Sequence, residues 1–286
     1  MSSSPTSKRR PAQRPTREEL DARFNVYSRL FTHQDPSDES FWSLLHDMPK
    51  RDFIKLVRSI HADVIGEASS IVDDAQLAPY RARIPRAEHD RVIALGDSVT
   101  SDRGSWFEVL GCVAALVGTR SHWINSGTSG DSSTHALARF DRAVTALAPT
   151  HVIVSLGTND SRRNRAGDGV RLVSLEEHAR NLRAIIALVR EQGATATLIT
   201  PPPVDADLIE SWTFEENLVW RNDDIADTAE STRAVARELD VPLVDVFSDF
   251  PSPTASLYHL ADGLHPNRRG HGAIARVVLA GARWGQ

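Results

Sequence analysis

At 286 residues the chain is long enough to bury the core of one large α/β domain with a smaller appendage. Its composition, 41% hydrophobic and 25% charged with a formal net charge of -5, excludes fibrous, disordered and disulfide-built classes and argues against a general nucleic-acid footprint; no window is apolar for long enough to span a membrane. The single cysteine, Cys112, sits in the apolar run CVAALV, which excludes an intramolecular disulfide and leaves no cysteine cluster for zinc or iron.

Met1 to about Pro15 is rich in Ser, Pro and Arg and reads as a disordered, locally basic tail. Its Arg9-Arg10 pair is not followed by a hydrophobic stretch, so no export signal is recognised and a cytoplasmic location is expected. From residue 16 to 88 the pattern is helical. Thr16 with Glu18 and Glu19 has the character of a helix start, acid in its first turn. Leu20, Phe24, Tyr27, Leu30 and Phe31, then Phe41, Trp42, Leu44 and Leu45, then Phe53, Ile54, Leu56, Val57 and Ile60 follow at helical spacing. Asp35-Pro36 and Pro49 are expected to separate the helices of this extension.

From residue 89 to 286 the rhythm changes to strand, loop, helix. Val92, Ile93, Ala94 and Leu95 run without alternation, as in a parallel strand covered on both faces, and Gly96-Asp97-Ser98 breaks that strand in a turn. A helix follows from about Ser105 to Val117. The next strand is His122 to Asn125, then the loop SGTSGDSST and a helix from about Thr134 to Leu147. A third strand, Val152 to Leu156, ends in Gly157-Thr158-Asn159-Asp160. A helix from about Leu175 to Gln192 leads to the strand ATLIT, a helix from about Asp224 to Leu239 to the strand Leu243 to Val246, and a last helix runs from near Asn267 to about Ala282. Five strands alternating with helices predict a three-layer α/β/α sandwich around a parallel, flavodoxin-like sheet of order 2-1-3-4-5.

In such a sheet every chemical cluster of this chain falls on the carboxyl edge of the strands, where ligands bind. A serine hydroxyl is a weak nucleophile and needs a base within reach and donors where negative charge develops. His265 suits the base, and Asp262 three residues earlier suits the group that orients it. The donors expected are the backbone N–H of Ser98, the backbone N–H of Gly130 and the side-chain amide of Asn159. As plain structure, Asn159-Asp160 and Asp262 are turn residues, Asp160 and Asp97 brace loops, and His135 and His271 are surface or packing residues. Neither a Gly-x-Ser-x-Gly elbow, a phosphate-binding loop nor a His-Glu-x-x-His zinc pair is present.

Gly96-Asp97-Ser98, Gly130, Gly157-Thr158-Asn159-Asp160 and Asp262-Gly263-Leu264-His265, in this order, resemble the four signatures of the SGNH hydrolases, also called GDSL esterases and lipases. The resemblance runs from about residue 91 to the C-terminus. It implies a serine esterase that cleaves carboxylic esters, with short-acyl or acetyl esters expected, through Ser98, His265 and Asp262 and an oxyanion hole of Ser98, Gly130 and Asn159, without metal or organic cofactor. An acyltransferase, thioesterase or lysophospholipase on the same site, and a non-catalytic binding module on the same scaffold, are the alternatives. The partner expected is a small-molecule ester, with no nucleic acid and no integral membrane association; the oligomeric state is left open. Trp212, Phe214 and Trp220 lie in a connection longer than a simple turn requires, and are equally readable as a wall over Ser98 and as packing against the extension.

Overall fold

A computed structural model of the chain describes residues 16–24, 26, 38–165, 169–211, 217–251 and 257–284. The basic tail, Trp212 and Phe214 lie outside the described residues. The extension begins with α1 (Arg17–Phe24), where Thr16 and Glu19 exchange side-chain-to-backbone hydrogen bonds as a capping box. It continues with α2 (Glu39–Leu45), capped by Asp38, and α3 (Lys50–Asp73), which starts directly after Pro49 as expected. The short α4 (Ala78–Arg81) leads into the sheet.

The parallel sheet contains β1 (Arg91–Gly96), β2 (His122–Gly127), β3 (His151–Ser155), β5 (Thr195–Ile199) and β7 (Leu243–Val244), in the order β2-β1-β3-β5-β7. This is the expected 2-1-3-4-5 order once a two-stranded antiparallel ribbon, β4 (Arg163–Asn164) and β6 (Leu218–Val219), is set apart. Helices α5 (Ser98–Ser101), α6 (Trp106–Leu116), α7 (Ser133–Ala138), α8 (Phe140–Ala143), α9 (Leu175–Glu191), α10 (Ala206–Ser211), α11 (Asn222–Leu239), α12 (Val246–Asp249) and α13 (Arg268–Gly281) complete the chain.

The unalternating apolar run of β1 is explained by its position. Val92 and Ala94 face a core shared with α3, α6 and α13, whereas Ile93 and Leu95 face a second core shared with α8, α9 and α11. All four are fully buried. Helix α3 packs on the outside of α6 and α13, and Arg268 and Arg276 of α13 reach across to it, Arg268 to Asp63 and Glu67 and Arg276 to Ser70 and the nearby Asp74.

Two elements depart from the expected boundaries, each for a local reason. The helix expected over Thr134 to Leu147 is broken at Arg139, whose guanidinium turns inward to the carbonyls of Gly96 (3.2 Å) and Ser126 (2.8 Å) and to the carboxylate of Asp131. The last strand stops at Val244 because Asp245 caps α12 instead, accepting from the Ser248 N–H at 3.3 Å. No described helix is long and apolar enough to cross a membrane.

Candidate active site

The nucleophile turn is shaped by a close approach. A Cβ on Gly96 would stand 2.2 Å from the Thr100 hydroxyl and 2.9 Å from the Ser155 carbonyl, so only glycine lets β1 end against α5. Asp97 caps α5 by accepting from the Val99 N–H at 2.9 Å, which fixes Ser98 as the first helical residue. Burial pushes the Asp97 carboxyl up to about 7 against the opposing pull of that N–H and of His265. Its role here is the bracing one expected of it.

At the other end of the chain, Asp262-Gly263-Leu264-His265 folds as a tight turn before α13. One Asp262 oxygen accepts from the Leu264 and His265 N–H groups, both at 2.9 Å; the other accepts from His265 Nδ1 at 2.7 Å. Burial would raise this carboxyl, but His265 and the two N–H groups outweigh it and hold Asp262 below the usual carboxylate range. With Nδ1–H donated to Asp262, the imidazole presents an unprotonated Nε2 to Ser98, whose Oγ stands 2.9 Å away and can donate to it. Residues separated by 167 positions thus form one hydrogen-bonded line, Ser98, His265, Asp262, with all three side chains buried.

The loops after β2 and β3 follow the two strands that flank β1. Gly130 has φ +79°, a conformation that L side chains rarely adopt, and a Cβ there would meet no atom within 4 Å. Asn159 donates one amide proton to the Asp131 carbonyl at 3.0 Å, which orients its side chain and leaves the second proton with no acceptor among the described residues. Among the described residues, no protein acceptor takes the backbone N–H of Ser98 or of Gly130. Preorganised donors without partners of their own can meet an oxyanion without reorganising.

Behind these loops lies a polar scaffold. Asp160 accepts from the Ser133 N–H and hydroxyl and lies 3.0 Å from His178 Nδ1; burial opposes its ionisation, but His178 and Ser133 prevail and lower it. Asp160 is therefore a loop brace, as expected. His271, expected to be a surface or packing residue, is wholly buried: its Nδ1 accepts from the Trp106 N–H at 3.2 Å and its Nε2 lies 3.1 Å from Asp102. His135 belongs to the capping box of α7 with Ser132. Sequence reasoning did not single out Arg139, Asp131 or His178. The available signal was modest, an aspartate next to Gly130 and an arginine inside an otherwise regular helical pattern.

Trp220 is the one described member of the aromatic trio. It packs on Val204, Ile225 and Leu264 rather than on the described residues of the extension, and its indole N–H donates to the Thr158 carbonyl at 3.0 Å, one residue before Asn159. It also lines a cleft of about 900 Å³ with Arg163, Arg165, Val204 and Ile209. An adjoining recess, sharing Arg165, Ile209 and Trp220, reaches Leu264 and Asp262. No group of three or more described His, Cys, Asp or Glu residues is arranged to hold a metal ion.

Residues 94–273 match the model of the GDSL-like lipase/acylhydrolase family. A GDSL esterase/lipase of Arabidopsis thaliana is 28% identical over 204 residues, covering 66% of this chain and 83% of that protein. Among solved structures, the lipase/acylhydrolase from Enterococcus faecalis superposes with a TM-score of 0.55 at 20% identity, over 67% of this chain and 94% of its own. A catalytic mutant of an acetylxylan esterase from Geobacillus stearothermophilus gives 0.52 at 20% identity, over 69% and 95%.

Proposed function

Since this chain belongs to the GDSL-like lipase/acylhydrolase family, and is therefore an ester-cleaving hydrolase, we propose that it is a serine esterase working through an acyl-enzyme on small acyl groups, acetyl above all. The observation that carries the reading is the line from Ser98 Oγ to His265 Nε2 (2.9 Å) and from His265 Nδ1 to Asp262 (2.7 Å). As Ser98 Oγ bonds the acyl carbon, its proton passes to His265 Nε2, and Asp262 holds the resulting imidazolium. The carbonyl oxygen, now negative, is met by the N–H groups of Ser98 and Gly130 and the free amide proton of Asn159. His265 then delivers its proton to the departing alkoxide, and water, deprotonated by the same imidazole, releases the acid. The small acyl group is supported by the closeness of the centre, where Ser98, Asn159 and His265 are 6, 4 and 5% exposed. The acetylxylan esterase among the structural relatives agrees with it. The hydrolase unit is taken as residues 89–286, with 16–88 as an appended helical extension.

Release of p-nitrophenol from its acetate ester tests this directly: a burst followed by slower steady turnover is expected, and failure to hydrolyse acetyl, butyryl and octanoyl esters alike would refute the assignment. Asn159→Ala is expected to lower kcat by roughly 10²- to 10³-fold with KM little changed, the cost of one preorganised donor. A loss below about threefold would reduce Asn159 to a turn residue.

The cleft beside Trp220 is proposed to receive part of the substrate. Trp220→Ala is expected to raise turnover of the octanoyl relative to the acetyl ester, because removing the ring widens the space next to Leu264. An unchanged chain-length profile in the folded variant would make Trp220 purely a packing residue. Trp212 and Phe214, proposed from sequence for the same wall, are tested by the same panel.

A further inference from the structure

Helix α1 lies outside residues 94–273, the span matched by the family, yet its last residue touches the candidate catalytic centre. The Phe24 ring stacks on the His265 imidazole with centroids 4.0 Å apart and planes 28° from parallel, and Phe24 is 1% exposed. We propose that Phe24 is a positioning residue for His265, supplied by the N-terminal extension; this rests on the Ser98, His265, Asp262 reading.

The hydrogen bonds to Ser98 and Asp262 hold the two ring nitrogens. The phenyl ring, flat against one face, adds a packing restraint on the plane of the imidazole. It also keeps water from that face and offers a π surface to the imidazolium formed when His265 takes the Ser98 proton.

The seating of α1 has its own anchors, and they lie on the segment that follows the nucleophile. The last carbonyls of a helix lack intrahelical donors. Here the Ser101 hydroxyl donates to the Phe24 carbonyl (3.1 Å), the Arg103 N–H to that of Arg23 (3.1 Å), and the Arg103 Nε–H to that of Ala22 (2.9 Å). Arg23 in turn donates to the buried Asp102 at 2.7 Å. Burial alone would raise the Asp102 carboxyl, but Arg23 and His271 outweigh it and drive it far below the usual range, so the ion pair stays intact across neutral pH. Every residue from Ser101 to Arg103 thus holds the extension against the turn that carries Ser98.

The test compares Phe24→Ala with Phe24→Leu, which keeps apolar volume and so keeps α1 seated. Phe24→Ala is expected to lower kcat by about 10- to 100-fold with KM changed by less than about threefold, since misplacing a reacting group acts on the chemical step. Phe24→Leu should retain more activity than Phe24→Ala. In both variants the proton NMR signal of His265 Hε1 should move downfield as the ring current of the stacked phenyl is lost, which reports the stack itself, while the fall in kcat at little-changed KM reports its effect on the chemical step. If Phe24→Ala does not fold, Phe24→Leu decides by the same signal and by kcat. Turnover within about twofold of the parent in the folded variants, or an unmoved Hε1 signal, overturns the proposal. That failure is separable from failure of the underlying reading, which would show as persisting activity in Ser98→Ala or His265→Ala whatever Phe24 does.

Discussion

Ser98→Ala is expected to lower kcat by about 10⁵- to 10⁶-fold and to abolish covalent labelling by a fluorophosphonate probe, with the thermal unfolding transition little altered. The magnitude follows from removing the atom proposed to carry the acyl group between the two half-reactions. What remains is binding and the oxyanion donors, which on their own still exceed water by a small part of the full effect. The fold should tolerate the change because, among the described residues, Ser98 Oγ has one partner, His265, which keeps its hydrogen bond to Asp262. The helix start is likewise preserved, since Asp97 rather than Ser98 caps it. Labelling and turnover are read on the same sample. A probe that still attaches to another serine would place the nucleophile elsewhere.

Replacing the base should be nearly as severe. His265→Ala is expected to cost about 10⁵-fold or more in kcat, and the double variant with Ser98→Ala should be no worse than either single one, because the two act as a unit. Asp262→Asn is expected to retain more activity than His265→Ala, with a loss of about 10⁴-fold. An asparagine can still stand beside Nδ1, but it cannot stabilise the imidazolium, and presenting its amide there favours the tautomer that carries its proton on the nitrogen facing Ser98. It can also still accept from the Leu264 and His265 N–H groups through its carbonyl, so the turn should hold. Additive losses in the double variant, or an Asp262→Asn variant as active as the parent, would show that the line of hydrogen bonds is not the working unit. The mechanism gives a metal no part, so EDTA should leave turnover unchanged; activity lost to EDTA and regained with a divalent ion would overturn it.

The amino-acid sequence determined the class of fold and the edge on which the chemistry lies, because both depend on local signals. The unbroken apolar run from Val92 to Leu95 fits a strand covered on both faces, and glycine followed by short polar residues favours a turn at its end. Repetition of that unit specifies a parallel sheet, and a parallel sheet brings the ends of its strands to one side, so the loops carrying Ser98, Gly130, Asn159 and His265 are expected on one edge.

Only the tertiary structure decided what depends on contacts between distant segments. Arg139 reads as an ordinary helical residue, and breaks its helix because the carbonyls of Gly96 and Ser126 and the Asp131 carboxylate meet at one point in space. The ribbon of β4 and β6 was not foreseen, since two residues per strand are too few for a periodic pattern. Phe24 reads as one apolar position of an amphipathic helix. Its place against an imidazole 241 residues further along follows from how α1 seats on Ser101, Asp102 and Arg103. Helical periodicity reports which face of α1 is buried; what that face is buried against is set by packing with the rest of the chain.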